Sequence, residues 1–145
     1  MKIQRIDHIG VVVNDLAAVK EFFLDFGFKV QGEAEEQSEL LDKVTGVKNS
    51  KSQIVFLGAP NEQITLELSK FIHPADKSGV QEHFMYSHGI QHLAFVVENI
   101  EDIVATMKQK GYEIFVDTYN YENVYKLCYF RGPEGIIIEL AEKIR

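Results

Sequence analysis

The chain has 145 residues, 46% hydrophobic and 26% charged, the balance of one folded domain with its own core rather than of a disordered segment. Asp and Glu outnumber Lys and Arg by 22 to 15, for a formal charge of −7, which argues against a nucleic-acid groove or an anionic membrane surface as the main partner. A single cysteine, Cys128, allows no internal disulfide, no apolar run approaches the ~20 residues of a membrane span, and the first residues carry no apolar signal core, so a cytoplasmic location is the expectation.

The first predicted strand runs from Ile6 to Val13, and alternation places Ile6, His8, Gly10 and Val12 on one face. Leu16, Val19, Phe22, Phe23 and Phe26 then recur at helical spacing, with Asn14 or Asp15 as N-cap and Gly27 beyond the C-terminus. A second strand starts at Phe28. Residues 31–53 hold an acidic cluster (Glu33, Glu35, Glu36, Glu39) and a short apolar segment around Leu40, Leu41 and Val44; they are expected to form a mobile or substrate-covering insertion. Ile54 to Leu57 predicts another strand, followed by the turn Gly58-Ala59-Pro60-Asn61-Glu62 and a strand in which Glu67 shares its face with Thr65 and Ser69. Residues 71–88, with His73, His83 and His88, are expected to be a linker.

Beyond the linker the chain repeats itself. Ile90-Gln91-His92-Leu93-Ala94-Phe95-Val96-Val97 lies over Ile6-Asp7-His8-Ile9-Gly10-Val11-Val12-Val13 at an offset of 84, which persists to Gly111-Tyr112-Glu113-Ile114 over Gly27-Phe28-Lys29-Val30. Ile100, Ile103, Val104 and Met107 supply the helical stripe, Asn99 the expected N-cap and Gly111 the stop. The apolar stretch Tyr125 to Phe130 and the turn Arg131-Gly132-Pro133-Glu134-Gly135 lead into Ile136-Ile137-Ile138-Glu139-Leu140, which matches Ile64-Thr65-Leu66-Glu67-Leu68 at an offset of 72. Each copy reads β-α-β-β-β. The expectation is an α+β domain over 1–145: module one 1–70, linker 71–88, module two 89–145.

Taken singly, a histidine at a strand start is usually structural and a glutamate at a strand end solvated. Recurrence in both copies groups His8, Glu67, His92 and Glu139 into one set. An ionised Glu139 among Ile136, Ile137, Ile138 and Leu140 is costly unless a cation or hydrogen bonds meet it. Two imidazoles and two carboxylates suit one divalent ion (Zn, Ni, Co, Mn or Fe) and cancel its charge. The residue two beyond each histidine, Gly10 or Ala94, is small, which leaves room for a bound species.

The His-led strands, the helices ending in glycine and the closing turn Arg131-Gly132-Pro133-Glu134-Gly135 before Glu139 resemble the vicinal oxygen chelate superfamily, which includes glyoxalase I, methylmalonyl-CoA epimerase, extradiol dioxygenases, and the fosfomycin and bleomycin resistance proteins. The resemblance implies paired βαβββ modules forming a cupped mixed sheet around a metal. A homodimer is expected, since a half-open cup leaves strand edges that need a partner. Glyoxalase I has His, Glu, His and Glu, matching His8, Glu67, His92 and Glu139, whereas the epimerase usually has Gln at the position of Glu67. Extradiol dioxygenases need two histidines and one glutamate, fosfomycin enzymes use three residues, and bleomycin-binding members have none. The implied function is a metal-dependent lyase or isomerase acting by proton transfer through a metal-stabilised enediolate on a small vicinal-oxygen substrate, with Glu139 as base and Glu67 second. An epimerase-like isomerase, a ferrous dioxygenase and a metabolite- or drug-binding protein are the alternatives. Short bacterial glyoxalase I enzymes bind glutathione through an arginine four residues after the first histidine and an asparagine four after the first glutamate; here those positions are Val12 and Phe71. Tyr119, Tyr121 and Tyr125 are read as packing residues that can also line the cup, Arg131 as a turn residue and Cys128 as an inert core residue.

Overall fold

Each copy of the repeat builds a four-stranded mixed sheet crossed by one long helix. The computed structural model describes residues 1–61 and 63–145 and divides into two compact units, Met1–Val80 and Gln81–Arg145. Glu62, the last residue of the first expected hairpin turn, lies outside the described residues. Unit one contains β1 (His8–Val12), α1 (Leu16–Asp25), β2 (Lys29–Glu36), α2 (Glu39–Thr45), β3 (Lys51–Gly58) and β4 (Thr65–His73). Unit two contains β5 (Leu93–Val96), α3 (Ile100–Gln109), β6 (Glu113–Tyr121), β7 (Tyr125–Arg131) and β8 (Ile137–Lys143), with a 3₁₀ turn at Pro133–Gly135. The strand orders are β1-β4-β3-β2 and β5-β8-β7-β6. In both, the first strand runs parallel to the last and the other pairs are antiparallel.

The helices pack on one face of their sheets through the predicted stripes. In unit one, Val19, Phe22 and Phe23 of α1 are buried, as are Val55 and Leu57 of β3 and Leu66 and Leu68 of β4, which pair with each other across the ladder. The ring of Phe23 meets Phe22 edge-on at 5.2 Å and Phe28 at 5.4 Å. In unit two, Ile100, Val104 and Met107 of α3 are buried together with the cross-strand pairs Cys128–Leu140 and Phe130–Ile138. Removing each such side chain from water contributes about 1.5–3 kcal/mol, so the helix faces hold the sheets while the opposite faces are free to carry polar chemistry.

The helix starts differ. Asp15 caps α1 as expected, accepting from the Ala18 N–H at 3.1 Å. Asn99 occupies the cap position of α3 with φ +58° but its side chain makes no cap bond. The carboxylate of Glu142, on β8, does that work instead, accepting from the N–H groups of Asn99 at 3.2 Å and Ile100 at 3.0 Å. Sequence spacing hides this because the cap lies more than forty residues away along the chain.

Residues 31–53, expected as a mobile or substrate-covering insertion, contain regular structure continuous with the sheet. β2 continues to Glu36, so Glu33, Glu35 and Glu36 are ladder residues paired with Val55, Gln53 and Ser52. Ser38 caps α2 through Leu41 N–H, Gly46 ends it at φ +74°, and Asp42 accepts from the N–H groups of Asn49 and Ser50. Leu41 is buried. β4 also runs on to His73, into the segment read as linker. No helix among the described residues is long and apolar enough to cross a membrane.

Candidate metal centre

β1 starts at His8, and β5 starts one residue after His92. The parallel ladders therefore set the two glutamates beside the small residues of the first strands: Glu67 pairs with Gly10, and Glu139 with Ala94. A Cβ at Gly10 would meet nothing within 4 Å, so the space over this strand is open. On the other side Glu67 pairs with Phe56 and Glu139 with Tyr129. The row Gly10–Glu67–Phe56 of the first sheet thus recurs as Ala94–Glu139–Tyr129 in the second, with alanine for glycine and phenol for phenyl.

Each glutamate meets the histidine of its own unit. His8 Nε2 lies 3.0 Å from Glu67 Oε2, and His92 Nε2 lies 2.7 Å from Glu139 Oε2. The second pair is more enclosed, with side-chain exposures of 25% and 16% against 45% and 25% for the first. Within each unit, among the described residues, no group of three or more His, Cys, Asp or Glu side chains is arranged to hold a metal. The donors come as pairs.

The other ring nitrogens are also engaged. His8 Nδ1 is 2.8 Å from Asp7 Oδ2, and Asp7 is in turn 2.8 Å from Arg5 Nη2. His92 Nδ1 is 2.6 Å from Gln91 Oε1, and the Gln91 amide nitrogen donates to the backbone carbonyl of Met85. A carboxylate only accepts, so in the first pair His8 Nδ1 carries the proton. In the second, the Met85 carbonyl only accepts, which forces the Gln91 NH₂ toward it and the Gln91 oxygen toward His92, so Nδ1 again donates. A neutral ring with Nδ1–H has a bare lone pair on Nε2. In both units that lone pair confronts a carboxylate oxygen, which is repulsive unless a second proton or a metal cation lies between them. The Asp7 hydrogen bond, reinforced by the Glu67 charge, accordingly raises the His8 pKa above the ordinary imidazole value. Imidazole nitrogen beside carboxylate oxygen is also the donor chemistry a divalent ion requires, so these residues fit one.

Tyr129 is a site residue that the sequence reading passed over. Its ring stands edge-on to His92 at 5.6 Å, and burial together with its hydrogen bond to Glu139 pushes its pKa up to about 12. The hydroxyl therefore stays protonated and donates to the carboxylate. Tyr119 and Tyr121 are half exposed or more and lie further along β6, paired with Leu127 and Tyr125. The signal that distinguishes Tyr129 is its register opposite Glu139, which pairing of the last two strands would have supplied. Asp7 and Gln91 were legible as the polar residues before each repeated histidine.

Arg131 is structural: its Nη1 donates to the His83 carbonyl at 2.6 Å, its Nε to Glu113 at 3.2 Å, and its guanidinium covers the Phe115 ring at 4.8 Å. Cys128 is fully buried. His88 is exposed and His73 ends β4.

A model of the Glyoxalase/Bleomycin resistance protein/Dioxygenase superfamily matches residues 5–140. The chain is 27% identical to the uncharacterized protein YaeR of Escherichia coli (strain K12), over 97% of this chain and 98% of that one. The crystal structure of a glyoxalase family protein from Bacillus cereus superposes with a TM-score of 0.93 at 32% identity, over 100% of this chain and 97% of that one. A mutant of the fosfomycin resistance protein FosX from Listeria monocytogenes, complexed with Mn(II) and 1S,2S-dihydroxypropylphosphonic acid, shares the fold with a TM-score of 0.63 at 17% identity, over 96% of this chain and 90% of that one.

Proposed function

Because the chain belongs to the Glyoxalase/Bleomycin resistance protein/Dioxygenase superfamily, we propose that it is a divalent-metal-dependent lyase or isomerase, with His8, Glu67, His92 and Glu139 as metal ligands and one ion for every two His–Glu pairs. One observation carries this reading: twice, the Nε2 of an imidazole whose Nδ1 is already engaged faces a carboxylate oxygen, at 3.0 Å and at 2.7 Å. A cation satisfies both acceptors, and two carboxylates neutralise it. The Mn(II) bound by the FosX relative supports a first-row or similar divalent ion on this fold.

Held by His8, Glu67, His92 and Glu139, such an ion would supply Lewis-acid stabilisation of negative charge on the vicinal oxygens of a small substrate. The chain's own part is to move the proton of the adjacent carbon. Glu139 is the base, steadied by the Tyr129 hydroxyl while it gains and loses charge; Glu67 is the second carboxylate. Val12 and Phe71 offer a glutathione carboxylate neither an arginine nor an asparagine, so the substrate class is a vicinal-oxygen compound that does not depend on that tripeptide.

The test is metal analysis of protein purified without chelators, followed by titration with Zn²⁺ and Ni²⁺. One equivalent per chain is expected, weakened in His92→Ala and Glu139→Gln. In D₂O, wild type should exchange the acidic C–H of a vicinal-oxygen substrate, and Glu139→Gln should slow that exchange roughly 10²–10⁴-fold with the unfolding midpoint kept. A chain that binds no divalent ion overturns the reading. Tightly held iron with oxygen uptake converts it to a dioxygenase, and full exchange in Glu139→Gln removes the base assignment.

A further inference from the structure

We propose that Asp7 and Gln91 are positioning residues for the metal, each holding its neighbouring imidazole by Nδ1 so that Nε2 is the atom presented to the ion, and that Gln91 also ties the connecting segment at Met85 to the centre. This rests on the metal reading above. The warrant is the closed chain of donors and acceptors. In unit two it runs from Met85 carbonyl to Gln91 amide to His92 Nδ1, leaving Nε2 opposite Glu139. In unit one it runs from Arg5 to Asp7 to His8 Nδ1, leaving Nε2 opposite Glu67.

The two devices are unequal. Asp7 is 68% exposed and its bonds compete with water. Gln91 is part-buried and anchored at both ends of its amide, so its ring contact is held without a charge. The segment it reaches is itself folded back: Phe84 N–H donates to Ser87 Oγ, Ser87 N–H to the Phe84 carbonyl, and the rings of Phe84 and Tyr86 stack at 5.5 Å. Arg131 holds the same segment at the His83 carbonyl. Loading His92 with metal therefore bears on the order of residues 83–88 through one side chain.

Outer partners of metal-bound imidazoles change affinity by about 10–100-fold. Calorimetric Zn²⁺ titration of the full chain is expected to show Gln91→Ala binding at least about tenfold more weakly than wild type, Gln91→Glu between the two because it keeps an acceptor for His92 Nδ1 but loses the donor to the Met85 carbonyl, and Asp7→Ala with the smaller loss. A structural role alone does not predict the second readout: in the Zn²⁺-loaded protein the His92 Nδ1–H resonance is sheltered from solvent exchange in wild type and Gln91→Glu and lost in Gln91→Ala. Asp7→Ala, at an exposed position, gives an arm in which folding is not at risk. If wild type binds Zn²⁺ and both alanine variants bind it equally well, this inference falls and the metal reading stands. If wild type binds no Zn²⁺, both fall. If Gln91→Glu binds no more tightly than Gln91→Ala, an acceptor at His92 Nδ1 does not matter and the positioning role is overturned.

Discussion

At the scale of single residues, chemistry here is decided by which atom of a group is left over once its partners are counted. Asp7 and Gln91 claim Nδ1 of His8 and His92, which leaves Nε2 as the atom of each ring that meets a carboxylate. Cys128 shows the opposite case. It has no place in the polar row, and burial raises its thiol pKa to about 11. The thiolate is therefore scarce at pH 8, and the folded chain should resist Ellman's reagent there while the urea-unfolded chain yields one thiol. Rapid labelling of native protein, faster than global unfolding allows, would contradict a sealed core position. Alternation and the repeat address single positions, and they paired each histidine with the glutamate it meets, His8 with Glu67 and His92 with Glu139. They could not reveal Tyr129, since a tyrosine in an apolar strand reads as packing until its cross-strand partner is known.

At the scale of elements, legibility follows range. α1 carries its own cap, Asp15, one residue before its first turn, and was readable. α3 does not: Asn99 holds a left-handed φ that suits it, while the exposed N–H groups turn to Glu142 on β8. Replacing Glu142 by Ala should cost about 1–2 kcal/mol in urea unfolding, whereas Asn99→Gly, which keeps the φ +58° conformation without strain, should cost far less. Equal costs would return the capping role to Asn99. The 31–53 segment was misread for a related reason. Its glutamates look like a solvated run in one dimension, yet three of them lie in a strand whose partner, β3, comes later in the chain.

At the scale of the whole molecule, the duplication is what made the fold class readable, since two copies of a weak pattern constrain each other. Duplication also gives each unit the same donor pair, one imidazole nitrogen beside one carboxylate oxygen. Ligand binding to the folded chain alone stabilises it by mass action, about 2.7 kcal/mol at a hundredfold excess over Kd. For a chain of this size that raises the thermal midpoint by roughly 5–10 °C. Scanning calorimetry with saturating Zn²⁺, and again after EDTA, should show the rise and its reversal. A midpoint indifferent to metal would place the ion outside the folded state.

The Glu142 bond has a mechanical meaning beyond capping. Alternation forbids β8 to slip by one residue, because that would turn Glu139 into the core, but a slip of two keeps every side chain on its proper face. Such a slip would carry Glu139 about 7 Å along the sheet. The carboxylate of Glu142, fastened to the first turn of α3, acts as a detent against it. The matching position in unit one is Lys70, which can offer no such catch. Strand β8 is thus indexed by its helix, and the more enclosed of the two His–Glu pairs is the one whose spacing is locked.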